Sequence, residues 1–158
     1  MQGATGSGRA QSSRQPVRVL FVCTGNSARS QMAEGFARAF GGGAVEARSA
    51  GLEPKGLNPA ALRAMAEIGI DISSQRSKPL TESDLAWADV VVTLCGDARD
   101  RCPVLPPRTR ALHWPLPDPA AVTGAPEEVM GAFRAVRDRI EREVRRLVAG
   151  LAAEQQVR

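Results

Sequence analysis

Short apolar stretches typical of buried strands alternate with helical patterns along this chain, and the alternation limits the folds open to it. Strand patterns cover residues 17–22, 44–50, 88–94 and 110–114. Helical patterns lie between them, and the longest begins at Pro126 and places apolar residues on one face as far as Leu151. Such alternation predicts an α/β fold with a parallel sheet and right-handed crossovers.

Capping signals place the shorter helices. The first helix is expected to stop at the glycines of residues 41–43. Asn58 before Pro59 is an N-cap followed by proline at the first helical position, which predicts a second helix. Thr81 and Asp84 have capping-box character, so a short helix is expected after them.

The length of 158 residues suits one domain with its own core. We assign residues 17–150 to this domain, residues 1–16 to a disordered N-terminal tail and residues 151–158 to a C-terminal tail. Residues 1–16 lack the apolar stretch of a signal peptide, and no run approaches the roughly 20 residues that span a bilayer. We therefore expect a monomeric, cytoplasmic protein whose cysteines are thiols or a working redox set.

The charge pattern excludes a further class of function. The formal net charge is +4, but basic and acidic residues are interleaved, as in residues 137–143. This is typical of a solvated helix face with ion pairs. The chain has no Tyr, 4 Phe and 2 Trp, which leaves few aromatic platforms for bases, so nucleic-acid binding is not expected.

The segment from Cys23 to Ser30 lies between the first strand pattern and the first helix pattern. Such a junction aims successive backbone N–H groups and the positive end of the helix dipole at one point, where an anion binds. Arg29 adds a planar fork of donors that matches two oxygens of a tetrahedral oxyanion. The same field stabilises a thiolate, so Cys23 is expected to be a nucleophile.

The whole loop is expected to bind the oxyanion through Thr24, Gly25, Asn26, Ser27, Ala28, Arg29 and Ser30. Gly25 and Asn26 tolerate the left-handed backbone that such a loop needs. Either Ser27 or Ser30 is placed to donate a hydrogen bond to the sulfur of Cys23. The alternative is an inert, buried cysteine before an ordinary helix cap, but the strand before the loop and the helix after it favour a functional site.

Residues 17–35, VRVLFVCTGNSARSQMAEG, closely resemble the opening of thioredoxin-coupled arsenate reductases, which share the fold of low-molecular-weight protein tyrosine phosphatases. The resemblance extends from about residue 17 to about residue 149. It implies a three-layer sandwich in which helices flank a four-stranded parallel sheet with the order 2-1-3-4. It also implies that arsenate is the substrate, with phosphate or sulfate as mimics.

Cys95 directly follows the third strand pattern, and residues 96–101 separate it from Cys102 in what is expected to be a charged, mobile loop. Read alone, the pair could be half of a zinc site with His113, or two unrelated thiols. His113 is expected to have a structural role. The spacing matches the redox pair of the arsenate reductases, so the resemblance implies a relay from Cys23 to Cys95 to Cys102 that thioredoxin reduces.

Asp118 lies between Pro117 and Pro119, which stiffen its loop. By sequence alone, a surface aspartate in a proline-rich turn is the favoured interpretation. The resemblance instead implies a general acid, because the family carries its acid in an Asp-Pro pair after the fourth strand.

The chain departs from some relatives that bind potassium through an Asn, a Glu, a Ser and an Asp. Asn26, Glu34 and Ser49 match the first three, but the fourth position is Lys78. A fixed ammonium there would repel a cation, so we expect neither a metal site nor a dependence on potassium.

Three rival functions remain. A tyrosine phosphatase on the same fold would hydrolyse aryl phosphates through a phosphocysteine at Cys23. A sensor would only bind the oxyanion, and a regulator would bind zinc. The two additional cysteines and the absence of Tyr favour the reductase.

Overall fold

Four parallel strands form one sheet in the order β2-β1-β3-β4. The computed structural model describes residues 15–157, so the tail predicted at residues 1–16 lies almost wholly outside the described residues. The strands are β1 (Val17–Cys23), β2 (Val45–Gly51), β3 (Val90–Thr93) and β4 (Arg110–His113). The predicted sheet order is therefore confirmed.

The two central strands are covered on both faces. Every residue from Val19 to Cys23 and from Val90 to Thr93 is buried. Continuous burial of this kind, without alternation, is what a parallel sheet produces when helices cover both of its faces. The core therefore lies on both sides of β1 and β3.

Over residues 15–157, five helices and one 3-10 turn surround the sheet. They are α1 (Arg29–Gly41), α2 (Pro59–Ala66), α3 (Glu82–Trp87), α4 (Gly96–Arg101), the 3-10 turn (Pro119–Ala121) and α5 (Pro126–Val157). Helix α1 packs against α5 and against β1 and β2, whereas α3 and α4 contact β1. Right-handed crossovers place α1 and α5 on one face and α3 and α4 on the other, which confirms the three-layer sandwich.

The capping predictions are confirmed. Asn58 Oδ1 accepts from the Ala60 N–H at 2.8 Å, and Thr81 and Asp84 form a capping box at the start of α3. The third strand is shorter than predicted at its N-terminal end, because Ala88 serves as the C-cap of α3.

Residues 96–101 differ from the prediction. They form helix α4 instead of a mobile loop. The helix forms because the Cys95 Sγ accepts from the Ala98 N–H at 3.4 Å, and because the Ala98 side chain is fully buried.

The last helix also continues beyond its predicted end. Helix α5 runs to Val157, through residues that the sequence predicts to be a tail, and Leu151 within it is only 2% exposed. Gln155 Nε2 donates to the backbone carbonyl of Gln15 at 2.8 Å. The end of α5 is therefore packed beside the start of β1.

Ion pairs join α2 to α5. Arg134 donates to Glu67 at 2.8 Å and Arg137 donates to the same carboxylate at 2.9 Å. The hydrogen bond from Arg134, followed by that from Arg137, lowers the pKa of Glu67 from 4.5 to about 2.

Over residues 15–157, none of the helices is both long enough and apolar enough to cross a membrane.

Phe36 tests the packing of α1 against the core. It is fully buried and stacks on Phe40 with ring centroids 5.6 Å apart. Phe36→Ala should lower the free energy of unfolding by about 3–5 kcal/mol, because it removes a buried ring and leaves a cavity. Urea unfolding measures this. Val104→Ala is the control, since Val104 is 98% exposed and its loss should change stability by about 0.5 kcal/mol or less.

Candidate active site

The loop between β1 and α1 turns its backbone carbonyls toward the segment after β2. The hydrogen bonds run from Glu53 N to Thr24 O (2.8 Å), from Lys55 N to Gly25 O (2.9 Å) and from Asn58 N to Ser27 O (2.9 Å). Among residues 15–157, no acceptor takes the N–H groups of residues 24–28, and α1 has no side-chain cap at Ala28. Unpaired N–H groups at a helix N-terminus form an anion site. We refer to residues 24–30 as the anion loop.

Asn26 sets the shape of the anion loop. Its backbone is left-handed, with φ of 45°. Its Nδ2 donates to Ser30 Oγ at 2.7 Å, while its Oδ1 accepts from Gln31 Nε2 at 3.1 Å and from the Lys78 N–H at 2.9 Å. The predicted need for left-handed backbone in this loop is therefore met at Asn26.

Cys23 lies at the base of the anion loop and is 2% exposed. Its Sγ is 2.9 Å from Ser30 Oγ. Since Ser30 accepts from Asn26, its own hydroxyl proton is free to point at the sulfur. Of the two serines considered from the sequence, Ser30 is the one that can stabilise a thiolate at Cys23.

Arg29 and Asp118 meet at the mouth of the site. The Arg29 side chain donates from Nη1 to the Leu116 carbonyl at 3.0 Å, and its Nη2 lies 3.9 Å from Asp118 Oδ2. The Asp118 Oδ1 accepts from the Ala120 N–H at 3.0 Å, and its side chain is 48% exposed. One carboxylate oxygen is thus fixed by the 3-10 turn, while the other faces the guanidinium beside the anion loop.

Cys95 lies against the anion loop from the other side. Its Sγ is 3.4 Å from Thr24 Oγ1, and the Thr24 hydroxyl donates to Asp97 Oδ2 at 2.8 Å. Cys95 is 9% exposed. The structure therefore brings a second thiol next to the loop that carries the first.

Cys102 is the C-cap of α4 and is half-buried. Burial raises the pKa of the Cys102 thiol, which disfavours its thiolate form. All three cysteines are free thiols in this structure.

His113 does not join the thiols in a metal site. Its Nδ1 lies 2.8 Å from Thr93 Oγ1, which fits the structural role expected for it. Within the described part of the chain, no group of three or more His, Cys, Asp and Glu side chains could hold a metal ion. The zinc alternative therefore has no ligand set among these residues.

Glu34 is neutralised by protein cations. It is 3% exposed, accepts from Ser49 Oγ at 2.5 Å and pairs with Arg38 at 2.6 Å and with Lys78 Nζ at 3.8 Å. Burial lowers the pKa of Lys78, and the charge of Glu34 opposes that effect. The Arg38 guanidinium and the Lys78 ammonium already pair with this carboxylate, so the residues here do not fit a potassium ion.

Contacts between distant parts of the chain were missed from the sequence. The Lys55 side chain lies across Gly25, where an added Cβ would come within 3.3 Å of its Cδ. Arg101 donates to Glu53 at 2.9 Å and to Asp97 at 3.0 Å. No periodicity or motif signals these partners, because the loop after β2 is a separate segment of the sequence.

A family profile and a curated relative match most of the chain. The profile of low molecular weight phosphotyrosine protein phosphatase matches residues 18–157. The arsenate reductase of Bacillus subtilis is 52% identical over 122 residues, which cover 77% of this chain and 88% of that protein.

Solved structures of similar shape include reductases and a phosphatase. An arsenate reductase in the phosphate-binding state has a TM-score of 0.71 and 38% identity, covering 85% of this chain and 98% of that one. A thioredoxin-dependent arsenate reductase from Corynebacterium glutamicum has a TM-score of 0.73 and 28% identity, and the match covers 96% of this chain and 72% of that one. An arginine phosphatase from Geobacillus stearothermophilus has a TM-score of 0.76 and 28% identity, and the match covers 89% of this chain and 96% of that one.

Gly51 tests the shape of the anion loop. A Cβ at this position would lie 2.8 Å from the backbone N of Asn26 and 2.9 Å from the Thr24 carbonyl oxygen. Gly51→Ala should therefore displace the loop and weaken phosphate binding by about tenfold to a hundredfold. Isothermal titration with phosphate measures this, and circular dichroism checks that the variant folds. Gly131→Ala is the control, because nothing lies within 4 Å of its added Cβ. Equal phosphate affinity in both variants would contradict the assignment.

Proposed function

The chain belongs to the low molecular weight phosphotyrosine protein phosphatase family and to the arsenate reductases within it, and we propose that it reduces arsenate through a relay of its three cysteines. The observation that carries the proposal is the contact of Cys95 with Thr24 of the anion loop at 3.4 Å. Hydrolysis of a phosphate ester needs only Cys23, Arg29 and a general acid. A second thiol against the same loop is what a reaction that transfers electrons requires.

The first step forms a bond between sulfur and arsenic. The Cys23 thiolate, held by the Ser30 hydroxyl at 2.9 Å, attacks arsenic in arsenate bound by the anion loop. One hydroxyl group of the arsenate takes a proton from Asp118 and departs as water. Arg29 neutralises the remaining negative charge on the arsenic oxygens. Asp118 is placed for the acid role because its Oδ2 lies 3.9 Å from Arg29, beside the site where the oxyanion binds, while the Ala120 N–H fixes its Oδ1.

The second step transfers the electrons. The Cys95 sulfur attacks the Cys23 sulfur of the adduct, and the electron pair of the S–As bond passes to arsenic. Arsenic goes from the +5 to the +3 state and leaves as arsenite, while Cys23 and Cys95 become a disulfide. A phosphoryl group on Cys23 cannot accept the electron pair in this way and can only be hydrolysed.

The third step moves the disulfide away from the anion loop. The Cys102 thiolate attacks the Cys95 sulfur, which releases Cys23 as a thiolate and forms a Cys95–Cys102 disulfide. In α4 these two residues are separated by seven positions, or about 10 Å at the rise of a helix, whereas a disulfide holds Cα atoms within about 7 Å. Helix α4 therefore unwinds in this step. A cytoplasmic dithiol protein of the thioredoxin class then reduces the pair.

Phosphatase activity is the second candidate. The family profile is that of a phosphatase, and one solved neighbour is an arginine phosphatase. The anion loop binds phosphate and arsenate through the same donors, so slow hydrolysis of a small aryl phosphate is expected as a side activity.

Cys102→Ser tests the relay. In a coupled assay with arsenate, thioredoxin, thioredoxin reductase and NADPH, this variant should complete about one turnover and stall with Cys23 and Cys95 joined, because no thiol remains to resolve that disulfide. Peptide mass spectrometry identifies the trapped bond. Continued turnover would refute the relay, and replacing thioredoxin with glutaredoxin or mycoredoxin shows which reductant is used.

Cys23→Ser separates the enzyme from a binding sensor. An enzyme loses arsenate turnover with this change, because the nucleophile is gone. A sensor would show no turnover in the unmodified chain either, and would keep its affinity for the oxyanion in the variant.

We also expect no rise in kcat/KM when potassium replaces sodium at constant ionic strength. The Lys78 ammonium already lies 3.8 Å from Glu34, where a cation would be needed. Lys78→Asp is the positive control, since it removes the ammonium and supplies a carboxylate, and its activity should increase with potassium. A clear potassium effect on the unmodified protein would show that Lys78 does not replace the ion.

A further inference from the structure

Helix α4 is too short to be stable alone. It has 6 residues, from Gly96 to Arg101, with Cys95 at its N-cap and Cys102 at its C-cap. Isolated helices of fewer than about 12 residues are marginal in water even with favourable sequences. Helix α4, which holds the two cysteines apart, therefore depends on contacts with the rest of the protein.

Arg101 makes those contacts in the last turn of α4. Its Nη1 donates to Glu53 Oε2 at 2.9 Å and to Asp97 Oδ2 at 3.0 Å. The same Asp97 oxygen accepts from the Thr24 hydroxyl at 2.8 Å. The hydrogen bond to Glu53, followed by the charge of Asp97, raises the pKa of Arg101.

Both acids are themselves tied to the anion loop. The Glu53 N–H donates to the Thr24 carbonyl at 2.8 Å, and the Thr24 side chain reaches Asp97. Arg101 thus connects the last turn of α4 to the anion loop by two routes. Because Arg101 immediately precedes Cys102, it cannot keep both contacts while Cys102 moves to Cys95.

We propose that Glu53, Asp97 and Arg101 form a latch that stabilises the dithiol form of the Cys95–Cys102 pair and so sets its reduction potential. The inference rests on the relay proposed above. The latch closes only on the helical, reduced segment and is lost when α4 unwinds into the disulfide. It therefore favours reduction of the pair, which helps the dithiol reductant to regenerate the enzyme. The three residues position Cys102 and do not touch the substrate.

The expected size of the effect follows from exposure. The Arg101 side chain is 47% exposed and that of Glu53 is 58% exposed, so solvent screens the pair. Removing one such contact should change the equilibrium constant between dithiol and disulfide by about 1.5-fold to fivefold. For a two-electron couple this is a shift of about 5 to 20 mV to a more negative potential.

Glu53→Gln tests the latch through the potential. All proteins carry Cys23→Ser, so that only Cys95 and Cys102 can pair. Each is equilibrated with mixtures of reduced and oxidised dithiothreitol, in which the oxidised reagent takes two electrons and two protons from the thiols. Free thiols are then trapped by alkylation, and mass spectrometry gives the fraction of Cys95–Cys102 disulfide. The Glu53→Gln protein should be half-oxidised at a more reducing mixture than its parent.

Glu141→Gln is the matched control. Glu141 accepts from Arg145 at 3.0 Å in an exposed pair on α5. Its substitution removes the same charge and the same kind of contact as Glu53→Gln, but outside residues 95–102. Its potential should equal that of the parent. Arg101→Gln removes both contacts and should shift the potential further than Glu53→Gln, and circular dichroism shows whether each variant keeps the fold.

The outcomes separate the latch from the relay. If Glu53→Gln and Glu141→Gln have the same potential as the parent, the latch is wrong while the relay stands. If the parent forms no Cys95–Cys102 disulfide in any mixture, both the relay and the latch fall. Faster hydrogen exchange of the residue 98–101 amides in the Glu53→Gln protein would show independently that α4 opens more readily.

Discussion

The left-handed backbone of Asn26 is fixed by the side chain of the same residue, which donates to Ser30 and accepts from Gln31 and from the backbone of Lys78. These contacts tie three segments together at one point under the anion loop. Because they are made before any ligand arrives, the donors need no rearrangement when an oxyanion binds. The Asn26 side-chain amide fixes the position of the Ser30 hydroxyl, and with it the hydrogen bond between that hydroxyl and the Cys23 sulfur.

The site combines a rigid half with a half that, in the proposed relay, has to change shape. The anion loop is anchored to the buried central strand β1 and to the segment after β2, so its geometry is set by the core of the protein. The segment from Cys95 to Cys102 contains a helix of 6 residues, which is held by a sulfur cap, by the burial of Ala98 and by the contacts of Arg101. A rigid loop suits the binding of a small tetrahedral anion, whereas the proposed relay needs a helix that is short enough to unwind. The fold provides both at the same edge of one sheet.

Local signals in the sequence predict the anion loop, but they do not predict helix α4. The strand, the loop from Cys23 to Ser30 and the helix after it are contiguous, so their residue types reveal the junction directly. Helix α4 has no apolar periodicity, and it forms through a sulfur cap, the burial of Ala98 and a contact between Arg101 and Glu53, which are 48 positions apart. The acid role proposed for Asp118 rests on a family resemblance, because an aspartate in a proline-rich turn has no distinctive pattern.

The hydrogen bond from Gln155 to the carbonyl of Gln15 has a practical consequence. It places the far end of α5 beside the start of β1, whereas Cys23 ends that strand about 20 Å away at the rise of a β-strand. The other two cysteines follow β3 and therefore lie toward the same end of the sheet as Cys23. A fusion partner or a surface linkage attached at residue 15 or at residue 155 would point away from the thiols. The protein can thus be tethered at that end while its reactive edge stays open to a second protein.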